Sequence, residues 1–213
     1  MTIHKLPLGL LSANCYIIET DYNNAVAVDI GGEWDKLSVF LAEHSLNLKA
    51  ILVTHGHYDH IDGIAAAQRD TSAEVYIHEA DASKMTSRRE SLAEYISGGE
   101  FHPVEKFSTV KNGDFIKIDD IDFEVIHTPG HTKGGVCYKC GNCLFTGDTL
   151  FRMSIGRTDF PDGDIIEMIN SVKALGKLEG EFDVYPGHGE NSTLDFERKN
   201  NPYMKEDPYE DFI

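Results

Sequence analysis

Four short segments of this 213-residue chain carry side chains that bind metals and move protons, and each stands directly after an apolar run. His55, His57, Asp59 and His60 fall within Thr54-His55-Gly56-His57-Tyr58-Asp59-His60. His131 lies in Thr128-Pro129-Gly130-His131-Thr132, Asp148 in Phe145-Thr146-Gly147-Asp148-Thr149, and His188 in Tyr185-Pro186-Gly187-His188-Gly189. Glycine accompanies each group, and strand ends closed by tight turns are where a sheet displays functional side chains. Alternate residues of an extended chain share a face, so His55 and His57 can point at one ion. Asp59 and His60 then point at a neighbouring ion. His131 completes the first site, His188 completes the second, and Asp148 bridges them, because a carboxylate has two oxygens. Nitrogen and oxygen ligands without cysteine suit two zinc ions first, with iron or manganese as alternatives. Two ions roughly 3.5–4 Å apart activate a shared water and stabilise the oxyanion that forms when it attacks. The expected chemistry is hydrolysis by a metal-bound hydroxide, with Asp59 and Asp148 as the carboxylates at the reacting centre.

A single histidine is more often structural than a ligand, and His4, His44, His78, His102 and His127 are read that way. His127 and Thr132 are expected to support the ligands from behind. Asp29, at a strand end, is expected to orient a ligand histidine by accepting its other ring N–H. Cys137, Cys140 and Cys143 form two overlapping C-x-x-C pairs. A closed zinc site needs four ligands and a fourth is missing nearby, so the segment is read as a hairpin turning at Gly141-Asn142.

The elements that must position these residues follow from hydrophobic period and turn chemistry. Strands are expected at Ala13 to Thr20, Ala25 to Ile30, Ala50 to Thr54 and Glu74 to His78. A second group is expected at Phe115 to Ile118, Ile121 to Ile126, Gly135 to Lys139, Cys143 to Thr146 and Phe182 to Tyr185. Helices are expected at Glu33 to Leu46, Ile61 to Arg69, Ile165 to Leu178 and Ser192 to Lys199. The inner face of the third helix is read as Ile166, Ile169, Val172 and Leu175. Two groups of strands, each followed by helices, suggest two sheets packed face to face with helices outside. One domain is expected over residues 1–213, with an acidic tail from about residue 201.

Composition narrows the function classes. The chain is 41% hydrophobic and 26% charged, as a globular protein is. Its net charge of −17 argues against a nucleic-acid partner, which would need clustered Lys and Arg. No apolar run reaches the length of a membrane span, and the first residues lack a secretory leader pattern, so a cytoplasmic protein without a membrane partner is expected. The expected partner is a small-molecule acyl substrate.

Thr54 to His60, His127 to Thr132, Thr146-Gly147-Asp148-Thr149-Leu150-Phe151 and Pro186 to Gly189 together resemble the metallo-β-lactamase superfamily. Within it they are most similar to the small glyoxalase II-like (hydroxyacylglutathione hydrolase-like) proteins. The resemblance runs from about Ala13 to Pro202. It implies a four-layer αβ/βα sandwich of two mixed β-sheets with helices on the outer faces and the metals at one edge of the sheets. It also implies the ligand set reached from spacing, and hydrolysis of a thioester of the hydroxyacylglutathione type. Two departures stand out. No counterpart is expected here of the helical C-terminal extension that helps glyoxalase II bind glutathione. The family's Gly-Lys-Phe-Tyr loop reads Gly156-Arg157-Thr158-Asp159, so Arg157 is expected to replace the lysine as an anion clamp. A lactonase or β-lactamase uses the same centre. A mononuclear iron persulfide dioxygenase fills only the first site, and the intact Asp59, His60 and His188 argue against it.

Overall fold

The computed structural model describes residues 1–96 and 101–205. Its first sheet has six strands in chain order: β1 (Thr2–Leu8), β2 (Ala13–Glu19), β3 (Asn24–Val28), β4 (Asn47–Leu52), β5 (Glu74–His78) and β6 (Ser108–Val110). The β1–β2–β3 meander is antiparallel, and β3 to β6 run parallel. The parallel steps need crossovers. Helix α1 (Trp34–Glu43) supplies the step from β3 to β4, and α2 (Tyr58–Ile61) with α3 (Ile64–Thr71) the step from β4 to β5.

A short helix α4 (Ala93–Ile96) precedes β6. The second sheet is built from β7 (Phe115–Ile118), β8 (Ile121–His127), β9 (Val136–Cys140), β10 (Cys143–Gly147), β13 (Asp183–Pro186) and β14 (Ser192–Thr193). Its spatial order is β14-β13-β10-β9-β8-β7, and only β10 and β13 pair parallel. Their crossover is α5 (Ile165–Gly176), and α6 (Leu194–Asn200) follows β14. Between β10 and α5, β11 (Leu150–Phe151) and β12 (Ser154–Ile155) make a small hairpin.

Side-chain alternation assigns the layers. On β2, Cys15 and Ile17 join a core with Leu37, Leu41 and Ile64 of the first helical layer. Tyr16 and Ile18 face the other way, meeting Phe123, Tyr138 and Phe145 of the second sheet. Cys137, Leu144 and Val184 turn outward against Met168, Val172 and Leu175 of α5 and Leu194 of α6. Two mixed sheets therefore pack face to face with helices outside, in the expected αβ/βα order.

Several details differ from the sequence reading. The helix expected from Ile61 to Arg69 is two pieces, α2 and α3. Ile166 is 70% exposed and Ile169 half-buried, while α5 buries Met168 beside the expected Val172 and Leu175. The first strand, β1, pairs with β2 over seven residues. The acidic tail is described only as far as residue 205, where Pro202–Met204 forms a single 3-10 turn. The three clustered cysteines sit on the β9–β10 hairpin, with Cys140 opposite Cys143, and all four cysteines are free and buried.

Candidate metal centre

The C-terminal ends of β4, β8, β10 and β13 meet at one edge of the two sheets, and each is followed by one of the four histidine or aspartate segments. Backbone bonds hold the edge together, from Val136 N–H to the Thr54 carbonyl (2.9 Å) and from Asn14 N–H to the Gly187 carbonyl (2.7 Å). Ligand-capable atoms then converge in three groups, each with its atoms within 4.8 Å of one another. One is His55, His57 and His131, the second is Asp59, His60 and His188, and the third joins His55, His60 and Asp148. Asp148 faces both sets, with Oδ2 3.6 Å from His131 Nε2 and 3.8 Å from His188 Nε2, and Oδ1 3.5 Å from His60 Nε2. All seven residues named from sequence thus gather at one centre. Among the described residues no such group contains a cysteine, or His4, His44, His78, His102 or His127.

The hydrogen bonds behind the rings determine which nitrogen faces inward. Asp29 is buried, at φ 54° in the left-handed region that Asp tolerates better than most residues. Its Oδ1 accepts from Thr54 N–H (2.8 Å), and its Oδ2 accepts from Thr54 Oγ1 (2.7 Å) and from His60 Nδ1 (2.8 Å). Since the Thr54 hydroxyl proton goes to Asp29, its oxygen accepts from His55 Nδ1–H at 3.2 Å. His131 Nδ1 donates to the Arg157 carbonyl (2.7 Å). His55, His60 and His131 therefore all turn Nε2 toward the centre, as ligand histidines held through their other ring nitrogen do.

The arrangement fits two metal ions. His55 Nε2, His60 Nε2 and Asp148 Oδ1 are buried polar atoms with no hydrogen-bond partner, and all three belong to the cluster. Each such atom costs about 1–3 kcal/mol of desolvation if nothing binds it. His57 Nδ1 also lies only 2.9 Å from His131 Nε2, two nitrogens aimed at one point. Burial and then the neighbouring histidines push the pKa values of His55 and His57 far down, so both are neutral and ready to donate lone pairs. Burial opposes charge on His60 as well, but Asp59, Asp148 and Asp29 outweigh it and raise its pKa to about 10. Burial would likewise raise the Asp59 carboxyl, but His60 and His188 win and hold it well below the usual carboxylate range.

The centre opens into a cavity of about 510 Å³. Its floor is His57, Asp59, His131, Asp148 and His188, and its walls are apolar, with Leu11, Leu92, Ile96, Phe151, Ile155 and Phe160. Arg157 lines the same cavity. Its Nε and Nη2 each donate to Asp159 at 2.7 Å, and the guanidinium lies over the Phe160 ring. His127 stacks on His78, with centroids 4.1 Å apart, and its Nε2 bonds the Lys133 carbonyl. Thr132 Oγ1 donates to Asp81, a fully buried carboxylate that the sequence reading passed over.

A sandwich of two mixed sheets with paired His/Asp groups at one edge defines a class of metal-dependent hydrolases. The metallo-beta-lactamase superfamily profile matches residues 8–188, and the chain belongs to that superfamily. Hydroxyacylglutathione hydrolase GloC of Haemophilus influenzae is 34% identical over 210 residues, covering 96% of this chain and 98% of the relative. The probable metallo-hydrolase YqgX of Bacillus subtilis is 28% identical over 207 residues, covering 96% and 98%. Among solved structures, the BLEG-1 B3 metallo-beta-lactamase superimposes with a TM-score of 0.89 at 32% identity, covering 96% of this chain and all of that one. The protein TTHA1623, solved in a di-iron-bound form, gives 0.84 at 33% identity, covering 94% and 99%.

Proposed function

We propose that this chain uses two metal ions, zinc in the first instance, to hydrolyse the acyl bond of a small molecule, foremost a thioester of the hydroxyacylglutathione type. The observation that carries the reading is the double His/Asp group, shared through Asp148, at the floor of an apolar cleft. The likeness to GloC supports the thioester. When bound, two such ions supply Lewis acidity, lowering the pKa of a coordinated water toward about 7 and polarising the scissile carbonyl.

The chain's own residues do the rest. His55, His57 and His131 would hold one ion, Asp59, His60 and His188 the other, and Asp148 would serve both. Asp59 stays ionised and faces the cleft, so its oxygen accepts from the O–H of a water entering there and orients it for attack. Phe151, Ile155 and Phe160 cover the apolar part of the acyl group and exclude bulk water, which strengthens the electrostatic interactions at the floor. A thiolate leaves without a proton from the protein. Arg157 serves an acidic substrate when its pair with Asp159 opens. The fold match to BLEG-1 favours a second reading, hydrolysis of a β-lactam.

The test is a panel of a glutathione thioester, a neutral thioester, a lactone and a β-lactam, run on protein of known metal content. We expect close to two metal equivalents per chain, and thioester turnover that a chelator abolishes and zinc restores. Arg157→Ala is expected to raise KM for the acidic thioester alone. One iron per chain with oxygen consumption would overturn the hydrolase reading, and a β-lactam turned over faster than every thioester would favour the second.

A further inference from the structure

The turn that carries His55 and His57 and the loop that carries His131 are both bonded to one residue that carries no ligand role. Asp81 lies in the 3-10 turn Glu79–Met85 after β5, and it is 0% exposed. Its Oδ2 accepts from Gly56 N–H at 2.9 Å and from Thr132 Oγ1 at 2.8 Å. Its Oδ1 accepts from Gly134 N–H at 2.9 Å and lies 3.2 Å from Lys84 Nζ. Gly56 is the residue between His55 and His57, and Thr132 is the residue after His131. Lys84, itself only 4% exposed, reaches on to Asp162 at 2.6 Å. Asp162 belongs to the loop whose Arg157 carbonyl holds His131 Nδ1.

The packing agrees with the bonding. A Cβ on Gly134 would fall 2.5 Å from the Asp81 nitrogen and 2.6 Å from its Cβ. A Cβ on Gly56 would fall 2.5 Å from the Lys84 Cβ. Both loops are therefore pressed against the 79–85 turn, and only glycine admits that approach.

We propose that Asp81 is a positioning residue for the first metal group: one buried carboxylate that sets the His55–His57 turn and the His131 loop at the separation the ion requires. The proposal rests on the cluster being a metal centre. The second group has no bond to Asp81. His60 is oriented by Asp29, and His188 Nε2 meets Asp59 Oδ2 at 3.1 Å. A residue that merely stabilised the fold would affect both groups alike. A positioning residue should act on one, because outer partners of metal ligands act through the ligands they orient.

The experiment is a zinc titration of the metal-free, full-length chain against a chromophoric chelator, in two backgrounds. His188→Ala leaves the first group intact, and His131→Ala leaves the second. Asp81→Ala should weaken zinc by about 10–100-fold in the His188→Ala background and leave the other background unchanged. Thr132→Val keeps the shape of its side chain and removes one of the bonds to Asp81, so it should lower affinity in the same background alone, and it decides the question if Asp81→Ala does not fold. Equal losses in both backgrounds, or a lower Tm with both affinities intact, would overturn the proposal. Two zinc equivalents in the parent chain are the control. Their absence would count against the metal centre itself and not against the role of Asp81 within it.

Discussion

His60 shows how one side chain couples metal uptake to protons. Three carboxylates surround it, Asp29 at 2.8 Å, Asp148 at 3.5 Å and Asp59 at 3.7 Å. They raise its pKa to about 10 against the opposing effect of burial. At pH 8 the metal-free chain therefore holds a proton on His60, while His55 and His57, with depressed pKa values, hold none. A ligand nitrogen must give up its proton, so binding at the second group should release about one proton from His60 at pH 8, beyond any that a coordinated water gives up. The sign follows: affinity should fall as pH is lowered, because the proton competes ever better for Nε2. Calorimetry in buffers of different ionisation enthalpy reads the number directly. Zero protons released at pH 8 would show that His60 is neutral before the metal arrives. Asp148→Ala should weaken both groups in the same titrations, whereas His188→Ala should empty only the second.

Among the elements, α5 braces the Pro129–Gly130 end of the His131 loop. Its N-cap Asp164 accepts from Ile166 N–H (2.7 Å) and Glu167 N–H (3.0 Å). The Asp164 N–H bonds the Gly130 carbonyl (2.9 Å), and Ser171 Oγ donates to the Pro129 carbonyl (2.7 Å). Loss of a side-chain cap costs about 1 kcal/mol. Asp164→Ala should lower stability by that amount in urea unfolding. It should leave metal content unchanged, because the backbone bond to Gly130 survives the substitution. The outward-facing Ile165 and Ile166 flank this cap, 50% and 70% exposed. They also explain the misread inner face: hydrophobic period counts apolar residues whichever way they point, and Ile166 points to solvent.

At the scale of the whole molecule, the two sheets share an apolar interior in which Phe123, Tyr138 and Phe145 are fully buried. Phe123→Ala should cost about 3–5 kcal/mol, the usual penalty for an emptied aromatic site. If the interior between the sheets is what holds the metal edge together, this variant should also lose metal at temperatures where the parent chain keeps it. A thermal melt with and without chelator would read both effects. Chelation of the parent chain should lower Tm by linkage, since ions bind the folded centre preferentially. Among the described residues no helix is long and apolar enough to cross a membrane.

The residues that gather at the candidate metal centre were legible within the sequence. Metal chemistry demands particular atom types, and turns after apolar strands display them, so His55, His57, Asp59, His60, His131, Asp148 and His188 were recognisable one segment at a time. Asp29 was recognisable too, since a carboxylate at a strand end beside a histidine turn has a known use. The sheets were legible as two groups of strands, but the pairing of β1 and the short strands β6 and β14 were not, because a few residues carry too little period to count. Asp81 and Lys84 left no local signal at all. In Glu79-Ala80-Asp81-Ala82-Ser83-Lys84 they read as an ordinary solvated turn, with charges at the spacing of a surface pair. Only the folding of β5 beside β4, and of the second sheet against the first, brings Gly56, Thr132 and Gly134 around that carboxylate and shuts water out. Burial belongs to the packing of distant segments, and so does the difference between a surface charge and a clamp on the metal site.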